Sequence, residues 1–506
     1  MAIKISAELL IMILNYVQLT QDLYSSLFVS RIWCKVTIPI LWKLILVQEG
    51  YMNHKELRKK ALCIRTYISC MDSQSRALLI QCGFDLSSSP PQATFDYPSF
   101  THKFRIDNLA YFISIYSQEI IGSNHDDNDI SITAESRILF REICKLLINR
   151  CTFLDSFKLG EVHENFSGNN CNYNDLIGSI LELPGAPKVF KRLETFVSAT
   201  IKDEIIGPLY KSLTLICDNI LNMDLEFNSD SQLQLLEKFI SVQKRLENLS
   251  IIDNGYKNLS ILDNGYTNCN SLLWVIISQK ETLKSLRLNS VSFYNLEGKS
   301  SPIGQFTSLK ELYIENCYGL YNSDYLFFAS SLTQLSSLHL RYLYYMYPQE
   351  FIIKIFETAN TNLKNICLEL YRIISNDIFS AILSYCTKIT ELTLLDLSLE
   401  QVIAIFNNNF NELRRFSFDY NGLDANELLC QMAESVPKSL ETIEIRMGIF
   451  NADSLRKFFE GWCCKGGGGN KKIIVKRTRV SRKKLFALSD EHFKVIEEYG
   501  IQFDIK

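Results

Sequence analysis

The sequence of 506 residues has no apolar run that approaches the roughly 18 residues of a membrane-spanning helix. It also lacks the motifs G-x-x-x-x-G-K, G-x-S-x-G and H-E-x-x-H, and no spacing of cysteine and histidine fits a zinc site. Histidine is scarce, with six in the chain, and none stands by a cysteine in a pattern typical of a nucleophile. The sequence therefore predicts a protein that is not an enzyme and that uses no cofactor or metal.

Neither sign of charge is in large excess. The formal net charge is −3, so we expect no nucleic acid and no membrane among the partners. The 15 cysteines are scattered, odd in number and free of C-x-x-C pairs, which favours reduced thiols over a disulfide framework. The apolar run from Leu9 to Leu14 follows Glu8 and precedes no small-residue cleavage site, which argues against a signal peptide. We expect a cytoplasmic or nuclear protein.

The sequence does contain a repeated phrase, Leu-x-x-Leu-x-Leu or a close variant. Copies begin at Leu283, Leu309 and Leu335, a spacing of 26 residues. The last two apolar positions of each copy are two residues apart, so their side chains leave a strand on the same face. About 26 residues hold one strand, one turn and one helix, which is the period of a leucine-rich repeat. We predict an α/β solenoid of horseshoe form, with parallel strands on the concave face and helices outside.

Similar phrases flank these three. They begin at Leu154, Leu193, Ile220, Leu246, Leu363, Ile389, Leu413 and Leu440. One interval is longer because a ten-residue segment is duplicated in tandem, at residues 249–258 and 259–268. Further strands are predicted at 473–475 and 501–505, as a capping repeat. The basic segment Lys471–Lys484 fits a solvated face of that repeat, with a nuclear signal or a nucleic-acid patch as the alternative.

Alternation along the strands predicts which side chains lie on the concave face. The charged and aromatic ones among them are the candidate substrate-binding residues: Arg287, Glu311, Tyr313, Glu315, His339, Arg341, Glu369, Arg415, Glu444 and Arg446. Both charges mixed with Tyr and His suit a polypeptide better than a phosphate backbone. For any single residue, a solvated side chain without a ligand is the simpler interpretation.

The first forty or so residues predict three short helices. Ser6 is a candidate N-cap for a helix over about 7–16, and Thr20 for a second. A third is predicted from about Ser30 to Ile38, ending before Pro39. A segment this short and this apolar cannot close a large core. Its surplus apolar surface therefore needs a partner, in the same chain or outside it.

This N-terminal segment resembles an F-box, whose pattern runs Leu-Pro-x-Glu, Asp-Leu, Val-Cys-Arg-x-Trp and Leu-Trp. The matching positions here are Ile5-Ser6-Ala7-Glu8, Asp22-Leu23, Val29-Ser30-Arg31-Ile32-Trp33 and Leu41-Trp42. Ser6 and Ser30 depart from the pattern, and neither change removes a large apolar contact. Together with the repeats, the chain resembles F-box proteins with leucine-rich repeats, particularly the expanded sets of some fungi.

The resemblance implies a substrate-recognition subunit of a cullin–RING ubiquitin ligase of the SCF type. Such a subunit binds a small adaptor subunit, and through it the cullin, and presents a target protein. The adaptor face would be formed or supported by Ile5, Leu9, Leu10, Leu14, Leu23, Val29 and Trp33. Two alternatives stay open: the three helices only cap the first repeat, or the chain is a ligase-independent protein-binding scaffold.

The sequence also predicts the domain limits. Residues 1–46 form the F-box, 47–150 a helical connector, and 151–506 the solenoid with its C-terminal capping repeat. Within the connector, helices are predicted over about 54–63, 73–82, 100–121 and 134–149.

Overall fold

The computed structural model describes residues 6–17, 20–46, 54–87, 93–121, 133–160, 177–178, 180–198, 203–255, 270–292, 306–317, 324–342, 349–370, 374–408, 410–420, 424–446, 450–465, 471–476 and 489–505. The chain divides into two compact units, Met1–Leu246 and Glu247–Lys506. The predicted division into box, connector and solenoid stays a prediction.

The first unit opens with helices and continues with helices that alternate with short strands. Its helices are α1 (Ala7–Asn15), α2 (Thr20–Ser26), α3 (Arg31–Leu44), α4 (His54–Ser69), α5 (Ser73–Gln81), α6 (Ile106–Ile121), α7 (Ala134–Arg150), α8 (Ala186–Phe190), α9 (Asp203–Ile216) and α10 (Asp230–Ser241). Ser6, Ser30 and Thr133 precede α1, α3 and α7, and each hydroxyl accepts a hydrogen bond from a first-turn N–H. These three helix starts confirm the sequence prediction.

Helix α3 runs through Pro39, so the prediction that it ends at Ile38 is wrong. Proline in a helix interior removes one backbone hydrogen bond. The helix continues because the residues around Pro39 are packed. Ile38 is buried, and the ring of Trp42 lies 4.4 Å from that of Tyr97. Burial of these apolar groups offsets the lost hydrogen bond.

Four short strands of the first unit pair in parallel in chain order. They are β1 (Lys103–Arg105), β2 (Ser156–Lys158), β3 (Thr195–Val197) and β4 (Asn222–Phe227). The last three confirm the phrases that begin at Leu154, Leu193 and Ile220.

Strand β1 corrects the prediction of a helix over 100–121, because α6 starts only at Ile106. Phe104 of β1 is in register with Phe157 of β2, and their rings are 5.8 Å apart. A strand of three residues is too short to show an alternating pattern, so the sequence carried no signal for it.

The second unit alternates strands and helices throughout. Its strands are β5 (Asn248–Asp253), β6 (Ser285–Asn289), β7 (Glu311–Glu315), β8 (Ser337–Arg341), β9 (Asn365–Glu369), β10 (Glu391–Leu397), β11 (Arg415–Tyr420), β12 (Thr442–Arg446), β13 (Lys472–Lys476) and β14 (Gln502–Ile505). Its helices are α11 (Asn270–Ser278), α12 (Asp324–Ser331), α13 (Gln349–Ala359), α14 (Asn376–Tyr385), α15 (Leu399–Asn407), α16 (Asn426–Ser435), α17 (Ala452–Lys465) and α18 (Asp490–Tyr499). Residues 259–268 of the duplication and 477–484 of the basic segment lie outside the described residues.

Each strand of the second unit pairs in parallel with its neighbours in chain order, as a solenoid of α/β repeats requires. The register aligns one apolar residue of each phrase in a single row: Leu249, Leu286, Leu312, Leu338, Ile366, Leu392, Phe416, Ile443 and Ile473. All of them are buried. The row confirms the repeat that the sequence predicts.

A second row, of backbone hydrogen bonds, crosses the sheet just before the strands begin. Each residue of this row donates its N–H to the carbonyl of the row residue before it, at 2.7–2.9 Å. For strands β6 to β11 the row consists of Lys284, Lys310, Ser336, Lys364, Thr390 and Arg414, which we call the rim ladder. The bonds hold these positions at the strand spacing of about 4.8 Å.

Close packing of α16 against α17 generates a prediction about Gly461. A Cβ at this position would overlap the backbone of Ala433, at 2.7 Å from its carbonyl carbon and 2.8 Å from its Cα. We therefore expect Gly461→Ala to lower the free energy of unfolding by about 2 kcal/mol. Without that contact, alanine in a helix interior would raise it by about 1 kcal/mol.

Gly207→Ala in α9 is the matched control. The nearest atom to a Cβ there is a methyl carbon of Leu235 at 3.4 Å, which can move. This variant should be neutral or stabilising by up to about 1 kcal/mol. Urea unfolding followed by circular dichroism measures both variants, and stabilisation by Gly461→Ala would contradict the close approach.

Candidate protein-binding surfaces

The first three helices have a small core of their own. Leu10, Leu14 and Leu23 are buried in it, and Trp33 packs against them half-buried. Val17, Val36, Ile40 and Leu41 complete the cluster. Three of the predicted adaptor residues are therefore internal and can only support a partner-binding face, whereas Leu9 and Val29 are exposed. Ile5 lies outside the described residues.

A larger set of apolar side chains is left exposed on these helices. They are Leu9, Ile11, Met12, Ile13, Tyr16, Tyr24, Phe28, Val29 and Ile32, which we call the N-terminal apolar surface. Tyr16 and Phe28 are extreme, with 84% and 74% of their surface accessible. Single exposed apolar residues are normal, but a concentration of them on one small element is typical of an interaction site.

Sequence reasoning missed most of this surface, although a signal for it exists in α1. Every residue of α1 except Glu8 and Asn15 is apolar. Leu10 and Leu14 face the core, and Leu9, Ile13 and Tyr16 recur at the spacing of a second stripe. A helix that is apolar all round is normally buried all round. In α1, the side that bears Leu9, Ile13 and Tyr16 is exposed to solvent.

The second half of α3 fastens these helices to the rest of the first unit. The ring of Trp42 lies 4.4 Å from Tyr97 and 6.3 Å from Tyr67. Asn108 donates its side-chain amide to the carbonyl of Leu46 at 3.2 Å. Ile32, at the start of the same helix, is exposed. One helix thus joins an open apolar surface to a packed one.

The predicted substrate-binding residues lie where alternation places them, at the first, third or fifth position of strands β6 to β9, β11 and β12. We call the side of the sheet that bears these positions the strand face. Arg287, Tyr313 and His339 occupy the third position of three consecutive strands and are in register. The rings of Tyr313 and His339 stack at 4.3 Å with an angle of 15°. The guanidinium of Arg287 lies over the other side of Tyr313, 5.8 Å from its centroid.

Carboxylates on neighbouring strands hold the arginines of this row in place. Arg287 pairs with Glu315 at 3.5 Å, and Arg341 pairs with Glu369 at 3.3 Å. Glu311 accepts a hydrogen bond from the hydroxyl of Ser285 at 3.1 Å. These pairs are partly exposed, so each contributes little to stability, about 1 kcal/mol or less. Their effect is to fix the direction of the side chains.

Arg415, Glu444 and Arg446 form a second group on β11 and β12. Arg415 pairs with Glu444 at 2.9 Å, and Arg446 pairs with Asp419 at 2.6 Å. Glu444 is buried, with 4% of its surface accessible. Its carboxylate therefore binds Arg415 and is not available to a partner protein. The exposed atoms of this group belong mainly to the two arginines.

The described cysteines are free thiols, and most are buried. Burial raises the pKa of Cys63, Cys217, Cys317 and Cys386 to about 12, so these thiols stay protonated and unreactive at neutral pH. Within the described ranges, no group of His, Cys, Asp and Glu side chains has the geometry to hold a metal ion. Among the helices that are described, none is both long and apolar enough to cross a bilayer.

The burial pattern in α1 predicts opposite results for two leucines. Leu14→Ala should destabilise α1 by about 2–5 kcal/mol, because it opens a cavity in the small core. Leu9→Ala, on the open side, should change the stability by no more than about 0.5 kcal/mol. Hydrogen exchange of the α1 amide protons measures both effects. Equal protection losses in the two variants would contradict the assignment of inner and outer sides.

Stability should also depend on pH through His339. Burial of its ring, followed by the nearby guanidinium of Arg341, lowers the pKa of His339. In the unfolded chain the pKa is about 6.5. As the pH falls below that value the unfolded chain takes up a proton that the folded protein does not, so stability is fully present above it and is lost on acidification.

His339→Gln removes the titrating group and keeps a polar side chain. Relative to this variant, the original protein should lose stability between about pH 7.5 and pH 5.5, as measured by urea unfolding midpoints. Parallel pH profiles of the two proteins would show that His339 is not the cause.

No family model matches the chain, and no curated protein sequence matches it. A solved structure from yeast, the crystal structure of the Rad7 and Elc1 complex, resembles the chain with a TM-score of 0.37 and 13% sequence identity, over 90% of this chain and 92% of that chain. A likeness at that TM-score does not show a shared fold, and the surfaces described above stand on the residues of this chain alone.

Proposed function

We propose that this protein is the substrate-recognition subunit of a cullin–RING ubiquitin ligase. The N-terminal apolar surface would bind the small adaptor subunit, and the strand face of the second unit would bind the target protein. The observation that carries the proposal is that the first three helices possess a closed core and still leave Leu9, Met12, Tyr16 and Phe28 in contact with solvent.

The free energy of burying apolar side chains favours a stably bound partner on this surface. Burying one large apolar side chain completely contributes roughly 1.5–3 kcal/mol. Several side chains that are half or more exposed can therefore supply much of the free energy of a stable association, even after the cost of ordering two proteins. A cap for the first repeat would need its apolar residues on the inside, and that interpretation leaves the second stripe of α1 without a purpose.

The F-box resemblance supplies the kind of partner. Its fixed positions include Leu23 and Trp33, which build the core, and Val29, which is exposed. The departures Ser6 and Ser30 are both N-caps whose hydroxyls accept from Leu9 and Trp33 N–H groups at 3.3 Å. They preserve the helices that carry the apolar surface, so the departures do not weaken the adaptor proposal.

The proposed mechanism is proximity rather than chemistry. A target held on the repeats, near a ubiquitin-conjugating enzyme recruited through the adaptor and the cullin, reacts at a raised effective concentration. The packed second half of α3 supports this proposal, because it fixes the adaptor-binding helices to the body of the first unit.

Co-purification with the small adaptor subunit of F-box ligases tests the proposal. The full chain should retain the adaptor through gel filtration. Leu9→Glu combined with Ile13→Glu should abolish retention, because two charges would be desolvated in the interface. Both positions are about half exposed, at 49% and 46%, so the helix should still form.

Ile80→Glu with Leu215→Glu is the matched control, since both side chains are exposed apolar residues of the same unit, on α5 and α9. It should leave adaptor binding unchanged. An original chain that binds no adaptor would favour the ligase-independent scaffold. Equal loss in the two double variants would mean that the N-terminal apolar surface is not the specific contact.

A further inference from the structure

The rim ladder is an aligned set of polar residues that the proposed function leaves unexplained. Its six positions, Lys284, Lys310, Ser336, Lys364, Thr390 and Arg414, are joined by consecutive backbone hydrogen bonds. Every one of them carries a side chain that can donate a hydrogen bond, and none carries a carboxylate. Glu247 and Glu441 occupy the flanking positions of the same row.

Three of its cations are exposed and unneutralised. Lys310, Lys364 and Arg414 make no ion pair with any residue that the structure describes, whereas Lys284 pairs with Glu247 at 2.8 Å. They immediately precede β7, β9 and β11, so about 10 Å separates each from the next. Ser336 and Thr390 occupy the intervening positions, and their hydroxyls donate to the carbonyls of Lys310 at 3.1 Å and Lys364 at 3.2 Å, which adds side-chain bonds to the ladder.

Nearby carboxylates do not neutralise the positive charge of this row. Glu311 and Glu391 are the next residues after Lys310 and Thr390, and adjacent residues of an extended chain point to opposite sides. Their side chains accordingly belong to the strand face. In the turns that lead into the ladder, the charges are equal in number, with Lys280 and Lys388 against Glu281 and Glu412.

We propose that the rim ladder binds an acidic, extended segment of polypeptide that runs across the strands, and that this segment belongs to the target protein. The second half of this statement rests on the proposed function. The partner chemistry follows from charge complementarity: a row of unpaired cations held at fixed spacing fits carboxylates displayed along one side of an extended chain.

A polypeptide fits this row better than a nucleic acid. Proteins that hold single strands combine cations with aromatic platforms for the bases, and the rim ladder has no aromatic residue. On the strand face, the rings of Tyr313 and His339 already stack on each other. The cations are also few, which suits a short acidic stretch rather than a dense phosphate backbone.

Fluorescence anisotropy with a labelled deca-glutamate peptide and the full chain tests the proposal. The peptide should bind at low ionic strength and dissociate as salt is added. Combining Lys310→Glu, Lys364→Glu and Arg414→Glu should weaken binding by about tenfold or more, because three attractions become repulsions. These side chains are exposed, so the variant should melt like the original protein.

Lys238→Glu, Lys457→Glu and Lys494→Glu provide a control with the same change of net charge, at exposed helical positions that are not part of the ladder. The affinity should then stay within about twofold. Absence of peptide binding, or an equal loss in this control, would overturn the proposal. Tighter binding of a ten-residue oligodeoxythymidine through the same three cations would overturn the choice of polypeptide.

Adaptor co-purification separates this proposal from the previous one. The triple ladder variant should keep the adaptor, because none of its residues belongs to the N-terminal apolar surface. If the original chain binds the peptide but no adaptor, the acidic-segment site stands as a property of the repeats and its link to a ligase target is wrong.

Discussion

Burial of one apolar row across parallel strands is the constraint on which the second unit depends. A single repeat cannot hide Leu286 or Leu312, so each strand must stack on the next. A shift of one residue would turn every such side chain to the exposed face, and the register is therefore fixed. Once the buried row is aligned, the residues around it are aligned as well. The strand face and the rim ladder are consequences of the core.

The N-terminal helices face a different constraint, because α1 has more apolar surface than its own core can cover. Leu10 and Leu14 satisfy the inner side, and Leu9, Ile13 and Tyr16 remain outside. The three-helix segment can be stable without a partner because its core forms without the outer stripe of α1. This separation allows a protein to fold first and to bind a partner afterwards without exposing its core.

Much of this arrangement is readable in the sequence. The spacing of 26 residues predicts the strands, and it also predicts the stacked row, since Arg287, Tyr313 and His339 stand at that same spacing. The sequence of α1 shows that the helix is apolar all round, but it does not show which side is the inner one, because such a helix has no distinctive face. Glu444 was expected to be exposed from alternation. Its burial depends on Arg415 from the neighbouring strand, and such a contact leaves no mark in the local pattern.

The charges of the second unit divide into two kinds with different physical consequences. On the strand face, Arg287, Arg341 and Arg415 are each paired with a carboxylate of the next repeat. Their geometry is set before any partner arrives, so contact with them costs little side-chain entropy and discriminates by shape and charge position. The unpaired cations of the rim ladder have no described carboxylate in contact that would neutralise their electrostatic field. Such charges accelerate encounter with an anionic segment and lose that effect as salt screens them. On the proposed function, the rim ladder would capture the target protein and the strand face would select it.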